Sequence, residues 1–98
     1  LFNNKNELIY MSRNIIPGKK IKSDKPPDYF RQVCVYAFNK EELDFFYNKK
    51  NKSYCEFYED IEILRFLDSS FKVKMVELSE QSQAVDIIED ITKVEKYL

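Results

Sequence analysis

All of the chain's strong backbone punctuation falls in one place. Its single glycine and its three prolines lie within "PGKKIKSDKPPD", residues 17–28. Pro-Pro can continue neither a helix nor a central strand, so this stretch is expected to be a loop or an extended arm. Structured elements must then be sought before it and after it.

Before it, "NELIYMSRN" is β-prone at Leu8, Ile9, Tyr10 and Met11, which predicts a strand ending near Ser12 and Arg13. After it, the dense β-branched and aromatic run Gln32–Phe38 predicts a strand buried on both faces. Asn39 followed by Glu42 is a capping-box pattern, so a helix is expected to start there with Leu43, Phe46 and Tyr47 on one face. The basic "NKKNKS" is a solvated loop. "YCEFYEDIEILRFLDSS" then carries Tyr54, Phe57, Tyr58, Ile61, Leu64 and Leu67 at three- and four-residue spacing, predicting one longer helix. "FKVKMVEL" alternates, with Phe71, Val73 and Met75 facing one way and lysines the other, as in a strand with one wet face. "SEQSQ" is a loop. A terminal helix comes last, with Asp86 as cap, Glu89 in the capping-box place, and Ile88, Ile91, Val94 and Leu98 as its apolar stripe. Strands alternating with helices argue for an α/β sandwich rather than a bundle, although three strands are few for a free-standing sheet.

Composition narrows the chemistry. Ninety-eight residues make one small domain or part of a larger one, burying about 60–65% of the surface of the unfolded chain. With 16 basic and 17 acidic residues the net charge is -1, which provides no global field for nucleic acid or anionic membrane. No apolar run approaches a membrane span. Histidine is absent, which excludes a histidine base or a histidine-ligated metal and leaves carboxylates, amides, hydroxyls and Lys/Arg. Cys34 and Cys55 lack a CxxC spacing and are expected to be reduced, buried thiols of a cytoplasmic protein. The opening "LFNN", without an initiating Met, suggests a fragment of a longer protein.

Four segments, taken in order, resemble the C-terminal part of the sugar-acid cytidylyltransferases of the 3-deoxy-manno-octulosonate (Kdo) type. They are "YMSRNIIP" (10–17), "QVCVYAF" (32–38), "YCEFYEDIEILR" (54–65) and "VKMVE" with "AVDIIEDITKV" (73–94). The resemblance implies an α/β fold, the C-terminal portion of a Rossmann-like nucleotidyltransferase sandwich with a mixed sheet and flanking helices, usually in a homodimer. The whole enzyme would join CTP to the anomeric hydroxyl of a sugar acid, releasing pyrophosphate. The "RxxSxRxPxK" loop that holds CTP in that family is not in this sequence, so the chain, residues 1–98, would be a sugar-binding and dimer-forming portion, inactive alone.

The resemblance also assigns roles. Asp86 matches the aspartate that helps to hold Mg2+, a hard cation suited to an oxygen ligand; from the residues alone it is a helix cap. Gln32 and Tyr36 match positions that contact the sugar acid, with Gln where relatives carry His, and Tyr36 is otherwise a core aromatic. Glu62 matches a glutamate accepting from sugar hydroxyls, and is otherwise an exposed helix residue; Glu56 and Glu59 are weaker candidates. Arg13, from its own chemistry rather than from the resemblance, is suited to pair either with an anionic group, such as the carboxylate that the substrate carries, or with an interface carboxylate. Ile87-Ile88 stand where the family has Thr-Pro, and Tyr54-Cys55 where it has Pro-Leu. Two other readings stand beside this one: a non-catalytic, self-associating module on the same scaffold, and an unrelated α+β binding domain.

Overall fold

The computed structural model describes residues 1–22, 25, 27–79 and 85–98; part of the proline-containing arm and most of the loop expected at 79–83 lie outside them. Among the described residues there are four helices, α1 (Lys40–Asn48), α2 (Tyr54–Glu59), α3 (Leu64–Asp68) and α4 (Ile88–Glu95).

Local chemistry starts α1 as the sequence predicts. The Asn39 side-chain oxygen accepts from the Glu42 N–H at 2.9 Å, and Glu42 accepts from the Asn39 N–H at 2.8 Å, so two orphan donors are satisfied reciprocally. The buried face differs from the predicted one: Phe45 and Phe46 pack on the core, whereas Leu43 and Tyr47 are exposed.

The single helix predicted across 54–70 is two helices. Asp60 takes the left-handed conformation, φ 53° and ψ 47°, and ends α2 there. Aspartate is one of the few side chains that tolerates this region, so no glycine marks the break. The break rotates the residues beyond it. Ile61, Ile63, Leu64 and Phe66 are buried with Leu8 and form the core, while Tyr54, Phe57 and Tyr58, predicted as its stripe, are exposed.

The alternation predicted at 71–75 holds: Phe71, Val73 and Met75 pack against the core, and Lys72 and Lys74 are exposed. This segment meets the N-terminal one in antiparallel register. Leu8 N–H donates to Val73 O at 2.8 Å, and Met75 N–H donates to Asn6 O at 2.7 Å. A second bridge pairs Phe2 with Leu8. Three short segments thus lie edge to edge, with Leu8 turned inward, but among the described residues they form bridges and no full strand.

Gln32–Phe38, expected as a doubly buried strand, pairs with no other segment among the described residues. Cys34 has φ 61°, incompatible with a continuous strand, and Val35 is 82% exposed. A strand is made by its neighbour's hydrogen bonds, and no described segment lies beside this one to supply them. Cys34 is accordingly exposed rather than buried; Cys55 is half-buried, and both thiols are free.

At α4 the cap is not Asp86. The Asp90 carboxylate accepts from the N–H groups of Asp86 (3.2 Å) and Ile87 (3.3 Å), and from Lys93 Nζ at 2.7 Å. Lys93, with the Asp86 amide, holds the Asp90 carboxyl below the usual aspartate range. The predicted stripe is mostly in solvent: Ile88, Ile91 and Leu98 are exposed, and Val94 is half-buried. Asp90→Ala is therefore expected to lower the melting temperature by about 4–8 °C, and Asp86→Ala by a degree or less. Calorimetry of the two variants checks the assignment, and equal shifts would refute it.

Candidate functional site

The break at Asp60 turns residues 60–62 toward the end of the N-terminal segment, and these two, with residues from 28–36, line an open hollow of about 680 Å3. Its walls include Arg13, Gln32, Tyr36 and Glu62. Four of the five residues singled out in the sequence therefore share one surface. The fifth, Asp86, is exposed and does not line it.

Gln32 and Tyr36 are joined directly, the Tyr36 hydroxyl donating to Gln32 Oε1 at 2.8 Å. The turn at Cys34 lies between them, so the pairing comes from a bent chain rather than from one face of a strand. Partial burial pushes the Tyr36 phenol up to about 12, with the nearby Cys34 thiol and the Glu62 carboxylate acting in the same direction. Tyr36 is thus a neutral donor and acceptor across the physiological range. Aromatic surface adjoins it: Phe30 lines the hollow and sits edge-on against Phe2, ring centres 4.8 Å apart.

Arg13 is held by the end of α2. Its side chain donates through Nε to Glu59 O and through Nη2 to Asp60 O at 3.3 Å, and its backbone N–H donates to Glu59 Oε1 at 3.2 Å. A guanidinium placed on the last carbonyls of a helix satisfies groups that the helix itself cannot. The Ser12 hydroxyl, then the Arg13 amide and Tyr10, hold the Glu59 carboxyl below the glutamate range. Glu59, a weaker sequence candidate, is thereby committed to fixing the wall.

Glu56, the other weaker candidate, is structural. It is 1% exposed and receives both Arg65 Nη2 (2.6 Å) and Arg65 Nε (2.7 Å), a two-pronged buried pair. Arg65 also donates to Lys49 O at 3.0 Å and lies 4.0 Å over the Phe46 ring. Burial works to raise the Glu56 carboxyl, but Arg65 and the Ser53 amide outweigh it and hold the group below its usual range. No motif in the sequence singles out Arg65. Its one signal is a cation lodged between Leu64 and Phe66 in an otherwise apolar run.

The residues present do not make a Mg2+ site by themselves. Among the described residues no group of three or more Asp, Glu or Cys side chains is gathered to hold a metal ion. Asp86 offers one exposed carboxylate where octahedral Mg2+ needs six oxygens. Among the described residues no helix is long and apolar enough to cross a membrane.

An amide, a phenol, a carboxylate and a guanidinium around an aromatic-edged hollow can hold a polyhydroxylated anion, and sequence comparison points to one class of protein: over nearly its whole length the chain is similar to part of the 3-deoxy-manno-octulosonate cytidylyltransferases. It is similar to the 3-deoxy-manno-octulosonate cytidylyltransferase of Chloroherpeton thalassium, 38% identical over 90 residues that cover 92% of this chain and 36% of that protein. The enzyme of the same name from Flavobacterium johnsoniae is 36% identical over the same share of each chain. That from Chlamydia pneumoniae is 36% identical over all 98 residues, 37% of its own length. The chain thus spans a little over a third of the relatives it matches. No protein-family model matches it, and no solved structure matches it.

Proposed function

We propose that this chain is the sugar-acid-binding portion of a cytidylyltransferase that activates a 3-deoxy-manno-octulosonate-like acid with CTP, giving a CMP-sugar and pyrophosphate. In the complete enzyme it would be the C-terminal part of a Rossmann-like α/β sandwich, in which Gln32–Phe38 gains the strand neighbours that it lacks here. The anomeric hydroxyl of the acid attacks the α-phosphorus of CTP and pyrophosphate departs; the residues of this chain bind and orient the acid. The observation that carries the reading is the gathering of Arg13, Gln32, Tyr36 and Glu62 around one hollow. Glu62 accepts from sugar hydroxyls in charge-assisted bonds. The Gln32 amide and the Tyr36 hydroxyl supply neutral partners, and Arg13 supplies positive charge for the acid's carboxylate.

The test is titration of the isotope-labelled chain with 3-deoxy-manno-octulosonate, monitored by NMR. Shifts are expected to cluster at residues 13, 32–36 and 60–62, and Glu62→Gln is expected to weaken binding about 10- to 100-fold, the loss of a hydrogen bond to a charged group. Mixing the chain with CTP and the acid is expected to give no turnover. Absent or scattered shifts at saturating acid would overturn the reading.

A second reading rests on a separate observation. Tyr54, Phe57 and Tyr58 are 66–77% exposed and their rings adjoin one another, an apolar surface that a self-associating module would cover. Sedimentation across a range of concentrations separates the two: this reading requires reversible association, whereas sugar-acid binding requires none.

A further inference from the structure

The Glu56–Arg65 pair could not exist on an unbroken helix. Nine residues at 100° each put the two side chains on opposite faces, about 14 Å apart along the axis. In the structure their charged atoms are 2.6 Å apart. What removes that separation is the left-handed turn at Asp60, which folds α3 back against α2. The same turn decides where Glu62 goes. Ile61 and Ile63, on either side of it, are 5% and 3% exposed and anchor the corner in the core. Glu62 lies between them with its side chain exposed, and it lines the hollow.

From this geometry we infer that Asp60 is the positioning residue for Glu62, acting through its backbone conformation rather than through its charge. The inference rests on the sugar-acid reading of the hollow. The carboxylate of Asp60 does meet Lys52 Nζ at 2.5 Å and Arg13 at 4.0 Å, but its side chain is 64% exposed, and ion pairs in that setting contribute little. The left-handed conformation is different: it is open to glycine and disfavoured for most other residues. Asp60 is therefore a place where glycine substitutes for aspartate and alanine does not.

The experiment measures affinity of the chain for 3-deoxy-manno-octulosonate in Asp60→Gly, Asp60→Ala, Glu62→Gln and the Asp60→Ala/Glu62→Gln double variant. The Arg65 Nε–H resonance in each reports that the buried pair, and hence the fold, survives. Asp60→Gly is expected to bind within about twofold of the parent chain and Asp60→Ala about 3- to 10-fold more weakly, because alanine keeps the Cβ but lacks the short polar side chain that lets aspartate tolerate this region. In the Glu62→Gln background Asp60→Ala is expected to add nothing, because the residue through which it acts is already disabled. A general loss of structure would lower affinity in both backgrounds. Parent-like binding by Asp60→Ala, equal losses from Gly and Ala, or full additivity with Glu62→Gln would each overturn the inference while leaving the sugar-acid site in place. A parent chain that does not bind the acid would instead overturn the reading of the hollow, and the inference with it.

Discussion

Arg65→Ala is expected to cost about 3–5 kcal/mol of folding stability, the usual result of removing one partner from a buried ion pair. Glu56 would be left 1% exposed without its two-pronged partner. Lys49 O would lose a donor, and the Phe46 ring the cation stacked on it. Domains of this size have about 5–15 kcal/mol in all, so the variant should lose a large share of its stability. Replacing both partners by methionine should recover much of the loss, since the cost comes from a stranded charge rather than from a missing attraction. Urea denaturation of the parent chain and the two variants checks this; a change under about 0.5 kcal/mol for Arg65→Ala, typical of a surface site, would show that the pair does not hold the fold.

The same pair sets a pH dependence. Glu56 in the folded chain titrates below its ordinary range, and in the unfolded chain within it. Its contribution is therefore complete above the ordinary glutamate range and is lost as pH falls through the folded value. Glu59 and Asp68 are displaced in the same direction, so the acid limb of the stability curve should steepen below about pH 4.

Phe66→Ala is expected to cost about 3–5 kcal/mol as well, by a different route. Phe66 is 3% exposed, and four rings surround it. Those of Phe38 and Phe46 stack on it at 5.0 and 5.8 Å, Phe45 is tilted at 5.5 Å, and Phe71 meets it edge to face at 5.7 Å. Removing the central ring leaves a cavity that its neighbours fill only in part. Phe66→Leu, which keeps much of the volume, should cost about 1–1.5 kcal/mol, and Tyr58→Ala, at a 69% exposed position, less than about 0.5 kcal/mol. The contrast between Phe66 and Tyr58 is diagnostic. An unbroken helix over 54–70 puts Tyr58 on the buried stripe and leaves Phe66 off it; the break at Asp60 reverses them.

What the sequence made legible was what neighbouring residues decide among themselves. The Asn39–Glu42 cap needs only four residues, and the alternation at 71–75 only the pleat. What escaped it depends on contacts formed after the chain folds back. Aspartate is an ordinary helix residue until Arg65 and the buried isoleucines require a corner at Asp60. The β-prone residues of Gln32–Phe38 have no described strand to pair with. Asp86 looks like a cap in sequence, yet Asp90, four residues on, turns back to do that work. The site shows the same division. Gln32, Tyr36 and Glu62 could be named from the family resemblance and Arg13 from its chemistry, but that they line one hollow depends on the corner, which no local pattern revealed.

The bond between Tyr36 and Gln32 has a bearing on what the hollow can select. With one lone pair of its amide oxygen engaged by the phenol, Gln32 still offers both of its N–H donors, which suit guests rich in lone pairs. Neither partner gains or loses a proton across the physiological range. This part of the hollow therefore keeps one chemical form near neutrality, where an imidazole in the place of Gln32 would have switched character.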